Sequence, residues 1–207
     1  MIGSEIVAAN QKDRMNWYSM KQITLIFLVG ILYMTCSFAQ TAEGIIFWEA
    51  DKPLAWTDFK GKAVKSSPYH AQTQGALNYT FDNLGVGSYL FKLNVKFDKQ
   101  KSWSKTDEQT DNLLDHEQGH FDIYEIYGRI IIKRLKETKA LSGSKFSDRV
   151  EKIFRKAFGE LQKFQQEYDK ATNHSKNKEK QGEWNEKLEK MLKNSEEHSV
   201  KEIQFKV

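Results

Sequence analysis

Along residues 89–97 (YLFKLNVKF) apolar residues recur at every second position, with Leu90 the one apolar residue out of phase. Tyr89, Phe91, Leu93, Val95 and Phe97 fall on one face, the period of a half-buried strand. Residues 71–81 (AQTQGALNYTF) alternate less strictly. The link DNLGVGS, with two glycines and an Asp-Asn pair, suits a hairpin between the two. Together they predict an antiparallel sheet with one buried face. Upstream, IIFWEADKPLAWTDFKGK is rich in aromatics and broken by Pro53 and Gly61. It predicts a strand, a turn and a short extended or helical piece, with Trp48, Leu54, Trp56 and Phe59 as core anchors.

The period then changes. Ser104 followed by Asp107 resembles a capping box, and from there to about residue 139 the only glycines are Gly119 and Gly128. Leu113, Glu117, His120, Tyr124, Tyr127 and Ile131 recur at alternating spacings of four and three, one stripe of a helix. A second helix is predicted after LSGS, over roughly 147–170. Its stripe is Val150, Ile153, Phe154, Ala157, Phe158, Leu161, Phe164 and Tyr168. Trp184, Leu188, Met191 and Leu192 keep helical spacing and predict a third, short helix, while residues 193–207 read as a frayed charged tail. The expected class is α+β: a small antiparallel sheet packed on two long helices, plus a short C-terminal helix. It forms one domain over residues 40–192.

The first 39 residues do not fit this domain. From Met20 the chain reads MKQITLIFLVGILYMTCSFAQ: a basic Lys21, an apolar run over 23–34, and small residues at Ser37 and Ala39. This is the pattern of a signal peptide with translation starting at Met20 and cleavage before Gln40. The run is shorter than the ~20 residues of a permanent membrane span. The chain is therefore expected to be exported, to a periplasm or the extracellular space. The bulky Tyr33-Met34-Thr35 before Cys36 argues against lipid attachment there. The mature chain then holds no cysteine, and its stability must come from a packed core, for which about 168 residues suffice. Net charge is +4 over the whole chain, with bases and acids interspersed. That gives no clustered basic face and no case for nucleic acid.

The chemistry concentrates in His116-Glu117-Gln118-Gly119-His120. Two histidines four apart lie on one helix face and can bind one cation. Glu117 lies about 100° further round and suits a general base acting on a water that zinc has made acidic. A catalytic zinc usually takes a third protein ligand. Glu125 points about 180° away from His116 on a continuous helix, Asp122 faces well off the site, and the phenols of Tyr124 and Tyr127 are poor zinc ligands. The third ligand must come from a distant segment, and Asp148, Glu151, Glu160, Glu167, Asp169 and His174 all have suitable chemistry. Tyr168 offers a phenol for oxyanion stabilisation, although its place on the helix stripe also suits a core residue.

LLDHEQGHFDIYEIYGR resembles the core motif of a bacterial family of predicted secreted zinc-dependent proteases. It is catalogued as domain-of-unknown-function family nine hundred and twenty-two and is zincin-like. PLAWTDFKG (residues 53–61) is similar to the family's aromatic N-terminal motif. YDKATNHSKNKEKQGEW (residues 168–184) is similar to its third motif, a Tyr-Asp pair, then Thr-x-His, then Gln and Trp. Ser175 departs from the glycine that often follows the third-motif histidine. The resemblance implies a zinc peptidase-like fold, with His174 as the remaining ligand and Asp169 as the alternative or as support for it. The expected function is an exported zinc metallopeptidase acting on a peptide or a cell-wall amide, with Glu117 as general base. The alternative is a catalytically inert zinc-binding interaction module of the cell envelope, which would have no need of Glu117. Oligomeric state is not legible.

Overall fold

The computed structural model describes residues 44–138 and 146–206. The leader region 1–39, with Cys36 and the cleavage point, lies outside the described residues. The described chain is α+β, as the periodicities predict. Strand β4 (Ser88–Asp98) is the centre of the sheet. Along one flank it pairs antiparallel with β3 (Gly75–Gly85) over almost its whole length. Its inward face is the predicted one: Phe91, Leu93, Val95 and Phe97 are buried, with Tyr89 half-buried against the same core.

The other flank of β4 is shared by the two ends of the domain. Strand β1 (Ile45–Phe47) covers the Phe97 end, and a C-terminal strand covers the opposite half, pairing Tyr89 with Phe205 and Phe91 with Ile203. The expected frayed tail is therefore wrong: after a 3₁₀ turn at Glu196–His198 the chain forms a strand over Glu202–Lys206. Only Ile203 and Phe205 are apolar in that segment, too short an alternation to stand out among charges. It forms because half of β4 would otherwise be an unpaired edge, and because Phe205 packs on Phe146 with ring centroids 5.3 Å apart. A separate short ribbon joins β2 (Ala71–Gln72) to β5 (Trp103–Ser104); the C-terminal strand is β6.

Helix α1 (Asp111–Glu137) lies across the buried face of the sheet. Its cap differs from the expected one. Ser104 belongs to β5, where its hydroxyl accepts from Gln109 Nε2 at 2.9 Å. Thr110, in extended backbone, is the true cap and accepts from the Leu113 amide at 3.2 Å. Asp111 in the first turn and Arg134 and Lys136 in the last complement the helix dipole. Helix α2 (Phe146–Thr172) packs antiparallel to α1: Arg134 bonds Glu160 at one end, and His116 meets Tyr168 at the other. Helix α3 (Lys178–Asn194) runs parallel to α1, touching it from His116–Gln181 to Arg129–Leu192. Among the described residues no helix is long and apolar enough to cross a membrane.

The β3–β4 hairpin turns at Val86-Gly87, with φ of 45° and 67°. A β-branched residue in left-handed backbone is strained, and Val86 is fully exposed, so its side chain contributes no packing. Val86→Asn should therefore raise stability by about 1 kcal/mol, read as a higher denaturation midpoint at unchanged m-value. An unchanged or lower midpoint would contradict the strain.

Candidate metal centre

The HEQGH turn of α1 places His116 and His120 one above the other, with their Nε2 atoms 3.2 Å apart. His116 and Glu117 are buried. Gly119 is needed here: a Cβ at that position would lie 2.3 Å from the Tyr168 hydroxyl oxygen, a buried and bonded group with no room to yield. Tyr168 stacks on the His116 ring, centroids 4.7 Å apart at 17°.

The end of α2 supplies the rest. After Thr172 three successive residues enter left-handed backbone: Asn173 (φ 48°), His174 (φ 52°) and Ser175 (φ 70°). Such a run costs on the order of 1–2 kcal/mol per residue. It is held by the His174 amide donating to the Asp169 carbonyl at 3.0 Å, by Asn112 Nδ2 donating to the Ser175 carbonyl at 2.6 Å, and by Tyr69 against the His174 ring. The turn brings His174 back over Asp169.

Asp169 Oδ1 stands 3.2 Å from His116 Nε2, 3.1 Å from His120 Nε2 and 3.3 Å from His174 Nδ1. The buried oxygen has no well-formed hydrogen bond among the described residues. Ligand atoms of His116, Asp169 and His174 lie within 4.8 Å of one another, a group that can hold a metal ion. Both sequence candidates for the remaining ligand thus reach the centre together. The other carboxylates do not: Glu160 pairs with Arg134, Glu151 with Arg155, and Asp148 and Glu167 are exposed. Glu125 is on the far side of α1, as helical geometry predicts, bonded to Arg129 and Lys201.

Two glutamines decide which atoms the histidines present. Gln181 Nε2 donates to the Tyr168 hydroxyl (2.7 Å) and to Asn185 Oδ1 (2.8 Å), which turns its Oε1 toward His116 Nδ1 at 3.1 Å. Gln165 Nε2 donates to the His120 carbonyl at 3.0 Å, which turns its Oε1 onto His120 Nδ1. A carbonyl oxygen only accepts, so each Nδ1 carries the proton. Nε2 is then the nitrogen of each ring left facing the centre. Burial alone would raise the Asp169 carboxyl and lower the His120 imidazole. The close approach of His116 and His120 instead holds Asp169 well below the usual carboxylate range, and Asp169 with Glu117 pushes His120 up. The group offers nitrogen and oxygen donors of the kind that can hold a metal ion.

These groups open onto a cavity of about 520 Å³. Glu117 lines it, and its buried Oε2 has no hydrogen-bond partner among the described residues. Tyr168 does not have the role expected of it. It is fully buried, its hydroxyl donates to the His116 carbonyl at 3.1 Å and accepts from Gln181, and burial drives its phenol far up. No proton is left for an oxyanion; Tyr168 positions His116. Gln165 and Asn112 are not expected at the site from the sequence, and Gln181 stands there only as one residue of the third motif. Gln165 lies four residues before Asp169, on the same helix face, which was the available signal.

The chain matches, over residues 57–175, the family described as bacterial protein of unknown function (DUF922). It belongs to that family. The matched span contains HEQGH and ends just beyond His174. No curated protein and no solved structure matches the chain.

If the glutamines set the tautomers, Gln181→Met and Gln165→Met should each weaken divalent-metal binding about 10–100-fold with the fold intact. Chelator competition measures it alongside circular dichroism. Unchanged affinity in both variants would remove the glutamines from the account.

Proposed function

We propose that the protein is an exported zinc-dependent hydrolase that cleaves peptide or related amide bonds. The observation carrying this reading is Glu117. Burying a carboxyl oxygen without a hydrogen-bond partner is unfavourable, yet Glu117 Oε2 has none among the described residues, beside a cluster of imidazoles on the wall of an open cavity. A metal site with a purely structural role has no use for it.

His116, His120 and His174, with Asp169, would hold the ion; when bound, zinc supplies a Lewis acid and lowers the pKa of water. Glu117 takes the proton of the water whose oxygen bonds to the amide carbonyl carbon. It then returns that proton to the nitrogen as the carbon–nitrogen bond breaks. Gln181 and Gln165 keep the two imidazoles oriented through both steps. Leu113 and the 68–73 segment form part of the cavity wall and restrict water around the reacting atoms.

Purified protein should carry about one zinc per chain. His116→Ala and His120→Ala should lose it, while Glu117→Gln should keep it and lose hydrolysis of a peptide library followed by mass spectrometry. A Glu117→Gln protein emptied of metal would make the glutamate a ligand and overturn its role as base.

A further inference from the structure

The cavity has a second wall that this mechanism leaves unused. Tyr124 stands four residues after His120 on α1, on the same helix face, and lines the cavity with His116, Glu117 and His120. Its ring lies against Gly75 of β3, where a Cβ would fall 2.3 Å from ring carbons Cδ2 and Cε2. A glycine inside a strand weakens it, and here it makes the seat for the ring. The ring is therefore fixed between the sheet and α1.

Its hydroxyl differs from that of Tyr168. The Tyr168 hydroxyl is committed to His116 and Gln181. The Tyr124 hydroxyl has no hydrogen-bond partner among the described residues, and burial alone acts on the phenol. A phenol is protonated at neutral pH and donates one hydrogen bond. Held rigidly in a partly dry cavity, a free donor of this kind suits a site where negative charge develops on an oxygen.

We propose that Tyr124 donates a hydrogen bond to the anionic oxygen of the bound ligand, the oxygen of the scissile carbonyl as water adds to it. The catalytic half of this statement rests on the hydrolase reading. The donor itself does not, and it can be tested apart from turnover.

The test compares zinc-loaded wild type with Tyr124→Phe, which keeps the ring on Gly75. Phenylphosphonate, a tetrahedral anion, is the binding probe, measured by calorimetry together with the ultraviolet difference spectrum of tyrosine on binding. Tyr124→Phe should keep its zinc and its melting temperature. It should bind phenylphosphonate about 10-fold more weakly, and the tyrosine difference signal should vanish. On peptides its kcat should fall about 10²–10³-fold with KM little changed. If wild type binds the phosphonate through Tyr124 but hydrolyses nothing, the hydrolase reading fails and the donor stands. If Tyr124→Phe matches wild type in phosphonate affinity and spectrum, the proposal is overturned, whatever the turnover.

Discussion

Three imidazole nitrogens lie within 3.3 Å of one carboxylate oxygen, that of Asp169, and most of the tertiary structure can be understood as what that convergence requires. Like-natured electron-pair donors do not collect at 3.1–3.3 Å around one oxygen unless the chain forces them to. The forcing is distributed. Helix α1 contributes two donors at one-turn spacing. The antiparallel return of α2 brings Asp169 to the same level. A strained left-handed turn adds His174, and α3 sends Gln181 back to fix the orientation of His116. The strain of three successive left-handed residues is tolerated because Asn112, Tyr69 and the Asp169 carbonyl all hold the turn. A few kcal/mol of local strain is a common companion of functional sites.

The sheet serves this arrangement from the other side of α1. Its buried aromatic and aliphatic face gives the helix a rigid floor, and Gly75 lets Tyr124 lie against β3 while still lining the cavity. On the far side of α1 the buried Glu125 and Arg129 bind Lys201, Glu196 and the Leu192 carbonyl. That ties the C-terminal end to the helix that carries the site. With β1 and β6 sharing one flank of β4, both ends of the domain are fastened to its central strand.

Much of this was legible in the residues. The alternation of residues 89–97 gave the central strand and its buried face, because the pleat has a period of two and the core lies on one side only. The i, i+4 histidines and the intervening Glu117 gave the helix face that meets Asp169, and helical angles removed Glu125 correctly. What escaped detection depended on partners distant in the chain. Glu202–Lys206 has only two apolar residues and became a strand because β4 had an open edge. Ser104 had a capping pattern, but pairing in β5 took it away from the helix. Tyr168 looked like a candidate oxyanion donor, since no local pattern reveals that Gln181, thirteen residues on, meets its hydroxyl. Gln165 and Gln181 carry no charge and belong to no spacing rule, although they decide which nitrogen each histidine offers.

X-ray absorption at the zinc edge of the metal-loaded protein tests the convergence most directly, because it counts donors by type and distance. Three imidazole nitrogens at about 2.0–2.1 Å, recognised by their multiple scattering, with one or two oxygens at similar distance, are the predicted shell. A shell of oxygens alone, or one with a single imidazole, would contradict the account.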